Sequence, residues 1–141
     1  MPPDAPPPAK LSIVVLDGSY QRVHYALAMA ASQLAIGRPA TLFFTMGAIR
    51  ALLARRPDGA PGWRALPGAA RDDAMAANGL ATFEELLGAC AELGATILVC
   101  DMGLKAEGLT RADLRPDLTI GEGGLVTFLN DARADGAMVV L

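Results

Sequence analysis

Cys100 holds the most informative position among the residues of this chain that could do nucleophilic chemistry. It ends the run ILVC (97–100), whose β-branched and apolar residues predict a buried strand, and the polar and glycine residues DMG follow at once. A thiolate at the end of a strand can act as a nucleophile or accept sulfur. A cysteine can equally serve as a small buried hydrophobic side chain, so these residues alone leave both interpretations open.

Cys90, the second cysteine, has a simpler interpretation. It lies in a predicted helix that ends near Gly94, and Cys100 lies at the far end of the strand that follows. Standard helix and strand rises then separate the two residues by roughly 14 Å along the sheet. This exceeds the Cα separation of about 7 Å that a disulfide allows. We therefore expect Cys90 to be a thiol of the core or of an interface.

Several other chemistries lack the residues they need. Phosphatase-like and rhodanese-like loops place an arginine shortly after the cysteine, but the only cation in CDMGLKAEG is Lys105. The chain has neither a P-loop nor a Rossmann glycine fingerprint. His24 is the only histidine, and the two cysteines are predicted to lie far apart along the sheet, so no zinc site is predicted. We expect no metal and no organic cofactor.

Composition narrows the class of protein further. A chain of 141 residues fits one domain, and its net charge of −3 gives no basic stripe for a nucleic-acid partner. No apolar run approaches the roughly 18 residues of a membrane span, and the N-terminus does not have the pattern of a signal peptide. We therefore expect a cytoplasmic protein. Apolar residues make up 52% of the chain, which predicts more apolar surface than one core can bury. We therefore expect a subunit interface, and hence a homo-oligomer.

Apolar runs alternate with helical patterns along the chain. Strands are predicted at 11–16, 40–44, 95–100, 117–120 and 137–141, and helices from Ser19 to about Gly37 and at 46–56, 82–94 and 123–134. This alternation predicts an α/β fold: a flavodoxin-like three-layer α/β/α sandwich with about five mostly parallel strands. Residues 1–10 are expected to be a disordered, proline-rich tail. Residues 11–141 are expected to form a single domain with an insert or lid near 57–78.

The predicted fold groups the candidate site residues in one crevice. If the strand order is 2-1-3-4-5, the loops after the first and third strands meet where the strand order reverses, which is where ligands bind in such sheets. The candidate residues are Cys100 as the reactive group, with Asp17, Gly18, Ser19, His24, Asp101 and Met102 as binding or tuning residues.

Three segments resemble the DsrE/DsrF-like family, and most closely its DsrE2-like branch. They are KLSIVVLDGSYQRVHYALAMAASQLAIGRPATLFFTMGAIRALL (10–53), FEELLGACAELGATILVCDMGLKAEGL (83–109) and GGLVTFLNDARADGAMVVL (123–141). The resemblance covers most of 11–141 and weakens over 54–80. The order and spacing of the segments carry it, rather than any single motif.

The resemblance implies a flavodoxin-like subunit in a homotrimer or homohexamer, and sulfur-relay chemistry in relatives that have the cysteine. Cys100 matches that cysteine, and Met102 and Gly108 match the segment after it. Gly103 and Leu104 depart from the Ser-Met of many relatives. The implied function is a sulfur carrier, or persulfide sulfurtransferase, that exchanges sulfur with donor and acceptor proteins. The alternative is a non-catalytic oligomeric module that binds a small anion or nucleotide over Asp17–Ser19.

Overall fold

The sheet contains five strands, all paired in parallel. In the computed structural model, which describes residues 9–141, the strands run in the order β4-β3-β2-β1-β5. Their bounds are β1 (Leu11–Val15), β2 (Ala40–Phe44), β3 (Thr96–Cys100), β4 (Gly121–Gly123) and β5 (Ala137–Val140). The predicted α/β fold class is confirmed. The predicted tail lies outside the described residues, except for Ala9 and Lys10.

Five α-helices connect the strands. They are α1 (Tyr20–Ala35), α2 (Arg71–Ala77), α3 (Phe83–Glu92), α4 (Asp101–Ala106) and α5 (Leu125–Asp131), with 3-10 turns at Met46–Leu52, Gly62–Ala65 and Arg111–Asp113. Thr82 and Glu85 form the capping box that starts α3. Within residues 9–141, no helix combines the length and apolar character needed to cross a membrane.

The predicted fourth strand at 117–120 is wrong, because β4 begins at Gly121, one residue after that segment ends. Gly121 pairs with Leu98 of β3, and a Cβ at position 121 would lie 2.8 Å from the Leu98 side chain. The glycine therefore leaves room for the Leu98 side chain beside β4. The side chains of Leu118 and Ile120 instead pack on the main core.

The assumed strand order is also wrong, because β2 separates β1 from β3. The strand beside β1 on its other edge is β5, where Ile13 pairs with Val139. The order therefore reverses between β1 and β5, and the carboxyl ends of β1 and β3 lie two strand spacings apart, roughly 10 Å. Burial patterns show which strands are internal but not which strands are neighbours, so the sequence could not supply this order.

The two faces of the sheet are covered very unequally. The first face carries the main core, in which α1 and α3 pack on β-strand residues such as Ile13, Leu42 and Val99. The second face carries a small cluster of Phe43, Cys100 and Phe128. Phe128 is the only buried residue of α5, so this short helix covers the second face through one side chain.

The segment at 57–78 packs on the main core near the start of α1. Trp63 is buried and stacks on Phe83, with ring centroids 4.7 Å apart. Asp72 is buried as well, and its Oδ1 accepts hydrogen bonds from the Tyr20 hydroxyl (2.5 Å) and the Phe83 amide (2.7 Å). These bonds join the segment to both α1 and α3. The role of this segment as a lid stays a prediction.

Candidate functional site

Cys100 lies where β3 ends and α4 begins. Its backbone is extended, and its Sγ accepts a hydrogen bond from the Gly103 amide at 3.4 Å. The residue has no exposed surface and packs against Phe43 and Phe128. The sulfur therefore lies at the carboxyl edge of the sheet with a backbone donor beside it, under an aromatic cover.

The cover over Cys100 is the side chain of Phe128. Its ring stacks on that of Phe43 with centroids 4.8 Å apart and an interplanar angle of 24°. Beyond Phe128, the end of α5 is tied to the sheet by Asp131, whose Oδ2 accepts hydrogen bonds from Lys10 Nζ (2.5 Å) and Thr41 Oγ1 (2.6 Å). Displacing α5 would break this attachment and uncover the sulfur.

The attachment of α5 should weaken in acid. Burial alone would raise the pKa of Asp131, but hydrogen bonds from Lys10 and Thr41 outweigh it and hold the pKa below its ordinary value. The pKa of Asp131 is lower in the folded protein than in the unfolded chain, where it is about 4, so the ionised carboxylate stabilises the fold at pH values above about 4. This stabilisation is lost as the pH falls through the pKa of the folded state. Asp131→Asn should therefore cost about 1 kcal/mol at pH 7.

Urea unfolding of the wild type and Asp131→Asn at pH 7 and at pH 3 measures this contribution. The difference in unfolding free energy should shrink at pH 3, because the wild-type carboxylate then begins to protonate. The exposed Asp135 lies in the turn after α5, so Asp135→Asn is the control, and we expect no pH-dependent difference for it. An equal difference at both pH values for Asp131→Asn would contradict the role given to its charge.

Two of the predicted tuning residues lie beside Cys100. Asp101 and Met102 open α4 and are exposed, and the Asp101 carboxylate accepts a hydrogen bond from the Met102 amide at 2.8 Å. A Cβ on Gly124 would lie 3.4 Å from Asp101 Oδ1, so this carboxylate lies next to the residue that precedes α5. Both residues are therefore at the rim of the site, outside the aromatic cover.

The other predicted residues lie at the end of β1, and the structure does not bring them to Cys100. Asp17 is exposed, and its pKa is lowered mainly by the backbone and side-chain hydrogen bonds from Ser19. Gly18 packs against Gly47, in the loop after β2. Because β2 intervenes, this group forms a separate location at the reversal between β1 and β5.

His24 faces away from Cys100. Its ring stacks on Tyr20 with centroids 5.3 Å apart, and its Nε2 is 2.9 Å from the Ala81 carbonyl oxygen. These contacts hold the ring against the segment that leads into α3. The prediction that α1 would direct His24 toward the site assumed the wrong strand order.

A cavity of about 310 Å³ opens beside the end of β1. Ser19, Arg22, Tyr25 and Leu141 contribute to its lining. The guanidinium of Arg22 lies 3.9 Å from the Asp17 carboxylate, so the cavity has one cation and one anion at its rim. In open α/β sheets the reversal of strand order is the usual place for a ligand.

A larger cavity, of about 430 Å³, shares no residue with either location. It is lined in part by Leu53, Pro61 and Arg115. The guanidinium of Arg115 is fully engaged, because it donates hydrogen bonds to Glu84 at 2.8 Å and to Asp117 at 2.7 Å. Arg55, also in the lining, donates a hydrogen bond to the Gly59 carbonyl oxygen at 2.8 Å. We assign this cavity no function.

Cys90 differs from Cys100 in its surroundings. It lies in the main core, where its thiol donates a hydrogen bond to the Leu27 carbonyl oxygen at 3.5 Å. Burial raises the pKa of this thiol to about 11. These contacts favour a protonated, unreactive thiol. Within residues 9–141, no three His, Cys, Asp or Glu side chains converge as metal ligands would.

The aromatic cover is the part of the site that sequence analysis missed. Phe43 is visible as one residue of a buried strand, but its face depends on the exact strand bounds. Phe128 lies in a helix whose partner surface could not be inferred without the strand order. Side chains alternate between the two faces along each strand, but the sequence does not give the register between β2 and β3. It therefore could not show that Phe43 and Cys100 lie on the same face of the sheet.

This chain is an α/β protein with a cysteine at the end of a strand. Its strand order and helices form a fold that is also seen in other solved structures. A protein of unknown function, MTH1491 from Methanobacterium thermoautotrophicum, matches with a TM-score of 0.62 and 10% identity, covering 94% of this chain and 99% of that one. The YchN protein from E. coli, whose family is DsrE-like, matches with a TM-score of 0.56 and 14% identity, covering 94% and 97%.

These two similarities show the fold. No protein-family model matches this sequence, and no curated protein matches it. The flavodoxin-like sandwich is therefore confirmed, and the structural neighbours include a DsrE-like protein. The DsrE2-like branch and the sulfur chemistry remain proposals.

Proposed function

We propose that this chain is a cytoplasmic sulfur carrier that accepts sulfane sulfur on Cys100. The observation that supports it is the location of the thiol: it ends an internal strand at the carboxyl edge of the sheet, with the Gly103 amide directed at the sulfur. Transfer between thiols needs one nucleophilic sulfur and an approach path. It needs no metal and no acid/base pair.

The transfer step balances without an oxidant. The Cys100 thiolate attacks the outer sulfur of a donor persulfide, R–S–SH, and a new S–S bond forms on Cys100. The bond between R–S and the outer sulfur breaks, and R–S⁻ leaves with its electron pair and is then protonated from solvent. The outer sulfur keeps its hydrogen, so Cys100 becomes a persulfide. An acceptor thiolate repeats the same exchange and restores the Cys100 thiol.

Access to Cys100 requires α5 to move, because the residue has no exposed surface. This helix has seven residues, is preceded by Gly123 and Gly124, and buries only Phe128. A short helix held by one buried side chain and the hydrogen bonds of Asp131 belongs to the part of a structure that opens most easily. We therefore propose that sulfur reaches and leaves Cys100 when α5 is displaced.

Incubation with a persulfide donor tests the assignment. Intact-mass measurement should show the wild type gaining the mass of one sulfur atom, reversed by a reducing agent. The Cys90→Ser variant should gain it at the wild-type rate, and the Cys100→Ser variant should not. A Cys100→Ser variant that still gains sulfur at the wild-type rate would remove Cys100 from the role of acceptor.

A second candidate function is binding of a small anion or nucleotide beside β1. The cavity of about 310 Å³ at the strand-order reversal, with Ser19 and Arg22 in its lining, favours this alternative. A thermal-shift panel of inorganic anions and nucleotides tests it. The alternative predicts a rise in Tm that is lost in Arg22→Ala and unchanged in Cys100→Ser. It fails if no compound raises Tm, or if the rise persists in Arg22→Ala.

We also propose that copies of this chain associate through the thinly covered face, in the trimer or hexamer that the family resemblance implies. The exposed apolar side chains there are Leu125, Val126 and Leu129 on α5 and Met138 and Val140 on β5. Burying such a patch favours association. Light scattering at micromolar concentration should give an oligomer, and a monomer would contradict this proposal.

A further inference from the structure

Thr45 is the polar residue that lies opposite Cys100 beyond the end of the β2–β3 pairing. The register of β2 and β3 pairs Phe44 with Val99, and the backbone of Thr45 remains extended. The next position along each strand therefore sets Thr45 opposite Cys100, with Cα atoms roughly 5 Å apart. Because side chains alternate along a strand, Thr45 lies on the same face as Phe43, which is the face that carries Cys100.

The Thr45 hydroxyl has no hydrogen-bond partner in the part of the chain that the structure describes. Thr45 occupies the N-cap position of the turn Met46–Leu52, where threonine usually accepts a backbone amide, but its side chain makes no such bond. The residue is only 6% exposed. A threonine that is this buried and does not cap is available for another hydrogen bond.

The hydroxyl is directed toward the loop that holds the sulfur. A Cβ on Gly103 would lie 3.0 Å from Thr45 Oγ1 and 2.7 Å from the Met46 amide nitrogen, so α4 packs this closely on the residues after β2 because residue 103 is glycine. The amide of the same Gly103 donates to Cys100 Sγ. Thr45 Oγ1 and Cys100 Sγ therefore flank one residue.

Solvent also reaches the Thr45 hydroxyl. None of the fully buried side-chain oxygens or nitrogens in the described residues lacks a hydrogen-bond partner. Because the Thr45 hydroxyl makes no bond to the described chain, its oxygen must keep some contact with solvent.

We propose that the Thr45 hydroxyl donates a hydrogen bond to the anionic sulfur of Cys100 once that sulfur ionises or carries a persulfide. Together with the Gly103 amide, it gives the sulfur two donors, one from the first turn of α4 and one from the residue that follows β2. This inference rests on the proposed sulfur-carrier function and assigns it a second residue. The neutral thiol does not need the bond, but an anionic sulfur beside Phe43 and Phe128 does, because an unpaired buried charge is costly.

Native-state alkylation of Cys100 by a small neutral reagent, followed by peptide mass spectrometry between pH 6 and 10, tests this role. The Thr45→Val variant keeps the shape and loses the donor. It should alkylate about tenfold more slowly near neutral pH, and the rise of its rate should move to higher pH. The Thr45→Ser variant keeps a hydroxyl and should behave like the wild type. If Thr45→Val does not fold, Thr45→Ala is compared with Thr45→Ser in the same way.

A Thr45→Val rate equal to that of the wild type would overturn the proposal. Equal slowing in Thr45→Ser and Thr45→Val would also overturn it, because packing rather than the hydroxyl would then be responsible. Thr119→Val, at an exposed site, is the control for the substitution itself. The sulfur-loading experiment and the alkylation experiment test different proposals. A wild type that gains no sulfur refutes the carrier function, whereas the alkylation rates of the variants relative to the wild type test only the role of Thr45.

Discussion

Replacing Phe128 with alanine should raise the alkylation rate of Cys100 at least tenfold, while that of Cys90 changes much less. Phe128 is 1% exposed and stacks on Phe43, so its ring is the main cover over the sulfur. Truncating a buried phenylalanine costs about 3–5 kcal/mol of stability. Here much of this loss destabilises the state in which α5 is closed over Cys100, relative to the state in which α5 is displaced. The open state is therefore populated more often, and the reagent meets the thiol more often.

Peptide mass spectrometry over a time course of alkylation gives both cysteine rates in one sample. Asn130→Ala is the matched control, because Asn130 is an exposed residue of the same helix outside the apolar patch, and we expect wild-type rates from it. A parallel rise of both cysteines in Phe128→Ala would indicate global unfolding instead of local opening. An unchanged Cys100 rate would show that Phe128 does not control access.

Replacing Asp72 with alanine should lower the free energy of unfolding by about 3 kcal/mol. The buried Asp72 carboxylate accepts hydrogen bonds from the Tyr20 hydroxyl and the Phe83 amide. Alanine would leave both donors buried without a partner, and each such loss costs about 1–3 kcal/mol. Burial and the bond to Asp72 raise the pKa of Tyr20, so its hydroxyl remains a donor throughout the neutral range.

The neighbouring Asp73 provides the control for this prediction. Its carboxylate lies 3.1 Å from Arg64 with a side chain that is 74% exposed. Exposed ion pairs contribute little, so Asp73→Ala should change the free energy of unfolding by less than about 0.5 kcal/mol. Urea unfolding of the wild type and both variants measures the difference. Equal effects of the two substitutions would show that the Asp72 bonds do not hold the 57–78 segment.

Much of the fold follows from local pattern. The runs LSIVV and ATLFF predict β1 and β2 because apolar side chains occur on both faces of an internal parallel strand. The T-x-x-E box predicts the start of α3 to the residue. These features depend on neighbours in sequence, so the sequence alone reveals them.

The composition of the site depends on relations that local pattern does not contain. The position of Cys100 at a strand end was predictable, but its neighbours were not, because they follow from β2 lying between β1 and β3. The same topology brings Phe43 and Thr45 to Cys100 and takes Asp17 and His24 away from it. The cover by Phe128 depends on which helix crosses the second face, and that also follows from strand order.

The central claim is that the Cys100 sulfur becomes reachable through a local opening of the native protein. Alkylation of both cysteines in the wild type, measured against urea concentration well below the unfolding transition, tests it most directly. We predict that Cys100 reacts faster than Cys90 and that its rate depends only weakly on urea, as local openings expose little surface. Equal, slow rates with the steep urea dependence of global unfolding would contradict it.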